Sequence, residues 1–205
     1  MYTKIKRVID FVLALFAVIL LSPLLLMIAI WIKVDSPGPI FFKQKRVGLY
    51  KSHFQIYKFR TMLSTTPKDM PTHLLSDPTA FITRSGRFLR KTSLDELPQL
   101  INILKGEMSF IGPRPALWNQ YDLIAERDKY EANDVLPGLT GWAQINGRDE
   151  LSIEHKSELD GVYIKNMSFS FDVKCFLLTI VSILKKDGIV EGMTESESKD
   201  NNHIH

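Results

Sequence analysis

The sequence has one cysteine, Cys175, so the chain cannot close a disulfide on itself and suits a reducing compartment. No Cys/His set has zinc spacing, and His53, His73, His155, His203 and His205 form no metal pattern, which excludes a structural zinc fold. The chain also lacks a dominant charge. Its 26 Lys and Arg stand against 23 Asp and Glu, a net of +3, too mild for a histone-like polycation, and no nucleic-acid partner is expected. There is no internal repeat. What remains is 205 residues, 45% of them hydrophobic, enough for one domain with a real core.

The averages hide one extreme. From Phe11 to Ile32 the chain carries no charge for 22 residues. The run is too long for an ordinary signal peptide, and no small-x-small cleavage site follows it. Spanning the bilayer is the default for such a length. Two features favour a helix that enters the membrane and returns. Ser22-Pro23 lies near the middle, where Pro23 cannot donate to the Ile19 carbonyl and its ring crowds that turn. Both flanks are basic: Lys4, Lys6 and Arg7 against Asp10 before the run, and seven cations against Asp35 between residues 33 and 60. Positive flanks prefer the cytoplasmic side, and a re-entrant helix broken at Ser22 and Pro23 satisfies both. A spanning helix with its weaker positive end outside is the alternative.

The sequence therefore divides into a membrane helix with its basic flank (1–35), a cytoplasmic domain (36–192) and a polar tail (193–205) that reads as disordered. The pattern from Ile40 to Met62 predicts two short strands around a turn near Gly48 to Ser52, with Lys58 and Arg60 on one face. Ser64–Ala80, with Pro67, Pro71 and Pro78, predicts a mobile loop. Helices are predicted over Ser93–Lys105, Ala116–Asn133 and Phe171–Lys186, and a Gly/Pro-rich loop over Pro137–Gly147. The last helix is amphipathic. Val173, Phe176, Leu177, Ile180, Ile183 and Leu184 share one arc, and Asp172, Lys174, Thr179, Ser182, Lys185 and Lys186 the other. It either packs its apolar arc on the core or lies in a membrane interface.

The chemistry gathers in the middle of the chain. Ser93-Leu94-Asp95-Glu96 follows the basic stretch Arg84, Arg87, Arg90 and Lys91. One reading is a capping box, with Ser93 as N-cap and Glu96 three residues on. The other is a carboxylate pair among cations, able to hold Mg²⁺ or to supply a nucleophile that attacks phosphorus. Gly112-Pro113-Arg114-Pro115 is either a stiff connector or a rigid loop that projects a guanidinium at phosphate oxygens. Pro137-Gly138-Leu139-Thr140-Gly141-Trp142-Ala143-Gln144, ending at Gly147-Arg148, repeats that theme, its glycines allowing close approach to a ligand. No Gly-Lys-Ser/Thr follows, so it is not a Walker loop.

In this order, Ser22-Pro23, Lys58-Phe59-Arg60, Thr92-Ser93-Leu94-Asp95-Glu96-Leu97-Pro98-Gln99-Leu100, Asn102, Lys105-Gly106-Glu107-Met108-Ser109, Gly112-Pro113-Arg114-Pro115 and Pro137-Gly138-Leu139-Thr140-Gly141 closely resemble the bacterial sugar transferase family, the monotopic polyprenyl-phosphate phosphoglycosyl transferases. The resemblance runs from about Lys4 to Gly188 and looks like the minimal catalytic form. It implies a helix-rich α/β domain with a re-entrant membrane helix hairpin and amphipathic interfacial helices, on the cytoplasmic face of the bacterial inner membrane. It implies transfer of a phospho-sugar from a UDP-sugar to undecaprenyl phosphate, with UMP released and Mg²⁺ required, at the first membrane step of glycan assembly. By that resemblance Asp95 is the nucleophile and a Mg²⁺ ligand, and Glu96 is its partner, helping to deprotonate the lipid phosphate. Lys58, Arg90, Arg114, Arg148 and Asp172 match phosphate- or substrate-binding positions. Pro113 and Pro115 frame the loop near the uridine, and Ser22 and Pro23 match the hairpin break. Asp160 is a weaker candidate. Membrane lipid is an implied partner, and a homodimer is compatible. Two alternatives stay open: direct displacement with Asp95 and Glu96 only as metal ligands, and a non-enzymatic membrane-anchored interaction module.

Overall fold

A computed structural model describes residues 2–66, 78–147 and 151–185. It is helix-rich α/β, built from eight helices and two small sheets among those residues. Most of the proline-containing loop, Arg148 and the whole polar tail lie outside the described residues.

Helix α1 runs from Tyr2 to Asp35, 34 residues, and continues as helix through Pro23. The break predicted at Ser22-Pro23 is thus not a loss of helix. The Ser22 hydroxyl explains why: it donates to the Ile19 carbonyl at 2.8 Å, the acceptor that Pro23 leaves without a backbone partner. At 1.5 Å per residue a helix of this length reaches about 50 Å if straight, well beyond the roughly 30 Å hydrocarbon core.

One stripe of α1 is packed along its whole length. Before Pro23, Ala14, Ala17, Val18 and Leu21 meet Phe54, Ile56, Leu100, Ile103 and Met108. After it, Leu24, Leu25, Ile28 and Ile32 meet Phe59, Leu89, Leu94 and Leu97. The spacing of three and four residues is what a single helical face requires. The opposite face, including Phe11, Phe16, Ile19, Leu20, Leu26, Met27, Ile30 and Trp31, is exposed. Both ends of α1 are tied to the globular body. Arg7 donates to the carbonyls of Ile103 (2.6 Å) and Leu104 (3.2 Å). Asp35 accepts from the Ser85 amide (2.9 Å) and hydroxyl (2.8 Å).

The predicted strand pair forms as β1 (Phe41–Val47) and β2 (His53–Phe59), antiparallel, with Phe41 opposite Phe59 and Val47 opposite His53. Lys58 and Arg60 do not share a task. β2 ends at Phe59, and Arg60, 4% exposed, donates to the carbonyls of Ser36 (2.7 Å) and Pro37 (2.8 Å) beyond α1.

Helices α2 (Pro78–Phe81) and α3 (Arg84–Lys91) follow, the latter capped by Thr83, whose hydroxyl accepts from the Gly86 amide at 3.0 Å. The helix predicted over Ser93–Lys105 is split. Leu94–Glu96 form a 3₁₀ turn and α4 spans Gln99–Lys105. Pro98 supplies no N–H at the junction, and α4 ends at Gly106 with φ 84°, a left-handed cap.

Strands β3 (Ser109–Ile111) and β4 (Gly138–Thr140) pair in parallel. Between them, α5 covers only Tyr121–Asp128 of the predicted Ala116–Asn133. The reason lies at its two ends. Ala116 and Leu117 bond to β1 instead, and Glu131 takes a left-handed φ of 58°. Helices α6 (Trp142–Ile145), α7 (Ile153–Asn166) and α8 (Phe169–Lys185) complete the order.

Helix α8 is packed inside out for a soluble helix. Asp172 and Cys175 are buried, and Thr179 is hydrogen-bonded to Thr140 at 2.9 Å. Val173, Phe176, Leu177 and Ile180 are exposed, so the reading in which the apolar arc covers the core does not hold. Left in water, each such half-exposed side chain forgoes about 1 kcal/mol of burial.

Candidate functional site

The site is built on the 3₁₀ turn Leu94–Glu96. Ser93 enters it with φ 56° and ψ 16°, and its side chain makes no capping hydrogen bond. The capping-box reading fails on that geometry, because an N-cap needs an extended backbone to turn its oxygen inward. A non-glycine residue in the left-handed region is costly and marks a turn that the surroundings over-determine. The two carboxylates are thereby presented on a tight turn rather than within a helix face.

Two distant elements bring cations to them. Lys58 of β2 sits 2.7 Å from Glu96 Oε1 and 4.0 Å from Asp95 Oδ2. Arg114 places Nη2 2.9 Å from the same Glu96 oxygen. Arg90, on α3, donates Nε to the Thr61 hydroxyl at 3.0 Å and also bears electrostatically on Asp95. The structure therefore gathers Lys58, Arg90, Asp95, Glu96 and Arg114. The strand carrying Lys58 is pegged by buried Asn102, which accepts from the Tyr57 amide (3.0 Å) and donates to the Gln55 carbonyl (2.7 Å).

The two carboxyls are pushed in opposite directions from their ordinary values. Burial pushes the Asp95 carboxyl up from its ordinary value. Lys58 pulls it back, the charge of Glu96 pushes further upward, and Arg90 and Arg114 pull down. Burial also acts upward on Glu96, but Arg114 and Lys58 outweigh it and hold that carboxyl well below the usual range. Among the described residues none donates a hydrogen bond to Asp95, whose nearest cation is Lys58 at 4.0 Å. Environments that drive neighbouring carboxyls apart are a mark of divided roles.

Arg114 stands on a loop held on all sides. The Gly112 amide donates to Thr140 (2.9 Å), and the Gly138 amide to Pro113 (2.8 Å). Arg127 Nη1 donates to the Arg114 carbonyl (2.9 Å), and Arg46 Nη1 to the Pro115 carbonyl (2.9 Å). Pro113 and Pro115 thus stiffen a loop whose other groups are already bound. The glycines expected to admit a ligand are used here for packing: a Cβ on Gly138 or Gly141 would fall on the Gly112 backbone.

Asp172 is placed elsewhere. It accepts from Tyr2, from Lys6 Nζ (2.6 Å) and from Tyr163 (2.8 Å), and so joins α8 to the start of α1. The one Tyr163 hydroxyl proton is shared between Asp172 and the Ile111 carbonyl, which lies 3.1 Å away, one residue before the Gly112–Pro115 loop. Arg148 lies outside the described residues. Sequence reasoning missed Tyr2, Lys6, Arg127 and Tyr163. No local pattern marks them, since their partners are distant in the chain. Among the described residues no three His, Cys, Asp or Glu side chains come together to hold a metal. A magnesium ion is commonly held by one or two carboxylates, with water and substrate phosphates completing the shell. Asp95, buried and without a hydrogen-bond donor among the described residues, fits that lesser share.

Residues 1–186 match the family described as bacterial sugar transferase. The uncharacterized sugar transferase EpsL of Bacillus subtilis is 43% identical over 185 residues, which is 90% of each chain. The UDP-glucose:undecaprenyl-phosphate glucose-1-phosphate transferase of Escherichia coli is 43% identical over 185 residues, 86% of this chain and 39% of that protein. The UDP-N-acetylgalactosamine-undecaprenyl-phosphate N-acetylgalactosaminephosphotransferase of Aeromonas hydrophila is 41% identical over 189 residues, 89% of this chain and 44% of that one. The chain spans less than half the length of these two transferases.

Proposed function

Because the chain belongs to the bacterial sugar transferase family, we propose that it moves a sugar phosphate from a UDP-sugar to undecaprenyl phosphate and releases UMP. The observation that carries this reading is the unlike carboxylate pair, with Glu96 clamped by Lys58 and Arg114 and Asp95 buried beside it without a hydrogen-bond donor among the described residues. Both substrates are anionic, and the cations lower the repulsion that a carboxylate meets as it nears phosphorus.

In this mechanism an Asp95 oxygen attacks the sugar-bearing phosphorus. The bond from that phosphorus to the UMP oxygen breaks, and UMP leaves with the electron pair. An oxygen of undecaprenyl phosphate then attacks the same phosphorus, and the bond to Asp95 breaks and restores the carboxylate. Splitting the transfer this way replaces one hard step by two easier ones. Glu96, held far below its ordinary range, is a weak base in this geometry. Its first duty is to keep Lys58 and Arg114 beside Asp95. A phosphate monoester with a second pKa near about 6 is mostly dianionic at neutral pH and needs little help from a base. Asp95 would hold Mg²⁺ together with diphosphate oxygens and water, and the ion would supply charge neutralisation there. UMP release should require both a UDP-sugar and undecaprenyl phosphate for turnover, and EDTA should abolish it. Full turnover in a rigorously metal-free assay would remove Mg²⁺ from the reaction.

We also place both ends of α1 on the domain's side of the membrane. Arg7 and Asp35 are each bonded to the globular body, and packed side chains precede and follow Pro23. The exposed arcs of α1 and α8 then meet lipid rather than water. In a Cys175→Ser background, cysteines introduced by Lys4→Cys and Pro39→Cys should both resist labelling from the periplasm. Periplasmic labelling of the first would mean a spanning helix.

A further inference from the structure

Outside the carboxylate cluster, and apart from Lys6–Asp172, lies another buried ion pair, between Arg127 of α5 and Asp160 of α7. The two residues are 3% and 1% exposed. Arg127 Nε and Nη2 reach the same Asp160 oxygen, at 2.8 and 2.7 Å. Removing two ions from water is expensive, and apolar side chains of similar volume stabilise such a site as well or better. Stability alone therefore gives no reason for the pair. Its third arm does: Nη1 donates to the main-chain carbonyl of Arg114 at 2.9 Å. The side chain of that same residue ends 2.9 Å from Glu96.

We propose that Arg127 and Asp160 are positioning residues for Arg114. Asp160 orients the guanidinium through two of its nitrogens, and the remaining nitrogen holds the Arg114 backbone, so that the Arg114 side chain arrives at Glu96 beside Asp95. Lysine in place of Arg127 lacks the rigid fork that bonds the carboxylate and the carbonyl together. Neither residue touches the carboxylate pair, and the inference rests on the sugar-phosphate transfer reading only for its activity assay.

The test is the double replacement Arg127→Met/Asp160→Leu in the full chain in nanodiscs. Melting temperature should stay within a few degrees of the parent or rise. Amide exchange across residues 109–120 reads the loop without any substrate. Faster exchange there, with the rest unchanged, is expected, and unchanged exchange overturns the proposal. UMP release from UDP-glucose or UDP-N-acetylgalactosamine with undecaprenyl phosphate should lose about tenfold or more in kcat, with KM little changed. In an Arg114→Ala background the same double replacement should add no further loss, because the group it positions is gone. Losses that multiply instead would overturn the proposal. Should the double variant fail to fold, Arg127→Lys keeps the charge and should give the same loop exchange and the same non-additivity. A parent chain releasing no UMP from either donor would sink the transfer reading, and loop exchange would still decide the positioning role.

Discussion

Mixed with its UDP-sugar and no lipid, the protein is expected to release one equivalent of UMP per active site and then stop. A carboxylate nucleophile needs no acceptor for its first step, and the product is an acyl phosphate on Asp95 that hydroxylamine cleaves. Asp95→Asn keeps the side chain's shape but removes the anionic oxygen, and should abolish the burst and lower turnover by about a thousandfold or more. Glu96→Gln frees Lys58 and Arg114 from their anchor, which predicts a loss of about a hundredfold with some adduct remaining. The pH profile gives the sign independently. Asp95 must be ionised to attack, and burial together with the charge of Glu96 raises its carboxyl. The acidic limb of kcat/KM should therefore lie above the ordinary aspartate range of about 3.9. Normal turnover with neither UMP nor adduct in the absence of lipid would make the transfer a direct displacement.

The second large effect is one of stability. Lys6 Nζ lies 2.6 Å from Asp172 and 3.8 Å from Asp10, with all three side chains buried. Lys6→Met leaves two carboxylates in the interior without their cation. Breaking a buried pair from one side costs about 3–5 kcal/mol. For a domain of this size that is a drop of about 10 °C in Tm, read in nanodiscs by scanning calorimetry. Adding Asp172→Asn should recover part of it, since one uncompensated charge is gone; Tyr2 and Tyr163 bond to different oxygens of Asp172, so the amide accepts from one hydroxyl and donates to the other. An unchanged Tm in Lys6→Met would mean that the pair does not hold α1 to α8.

The same residues mark the limit of what the chain's local pattern reveals. The two strands around Gly48 to Ser52 were legible because alternation and turn residues act over a few positions. The Ser93–Lys105 helix was legible only in part, since the turn at Asp95 depends on a left-handed Ser93 that nothing local demands. The apolar arc of α8 was evident from periodicity, yet periodicity cannot say which face meets the protein. Buried Asp172 and the Thr179–Thr140 bond decide that, and both partners come from other parts of the chain.

By itself the sequence determined the long apolar helix, the adjacent acids Asp95 and Glu96 with basic residues upstream, and a rigid loop carrying Arg114. These follow from composition, from short spacings and from proline's fixed backbone, all of which act locally. Only the tertiary structure decided that Lys58 and Arg114 converge on one oxygen of Glu96, that Asp172 anchors α1, and that Arg127 holds the Arg114 backbone. Each of these joins separate elements of the fold. Such pairings arise when packed elements exclude water and a buried polar group must find its partner, a condition that no short stretch of sequence contains.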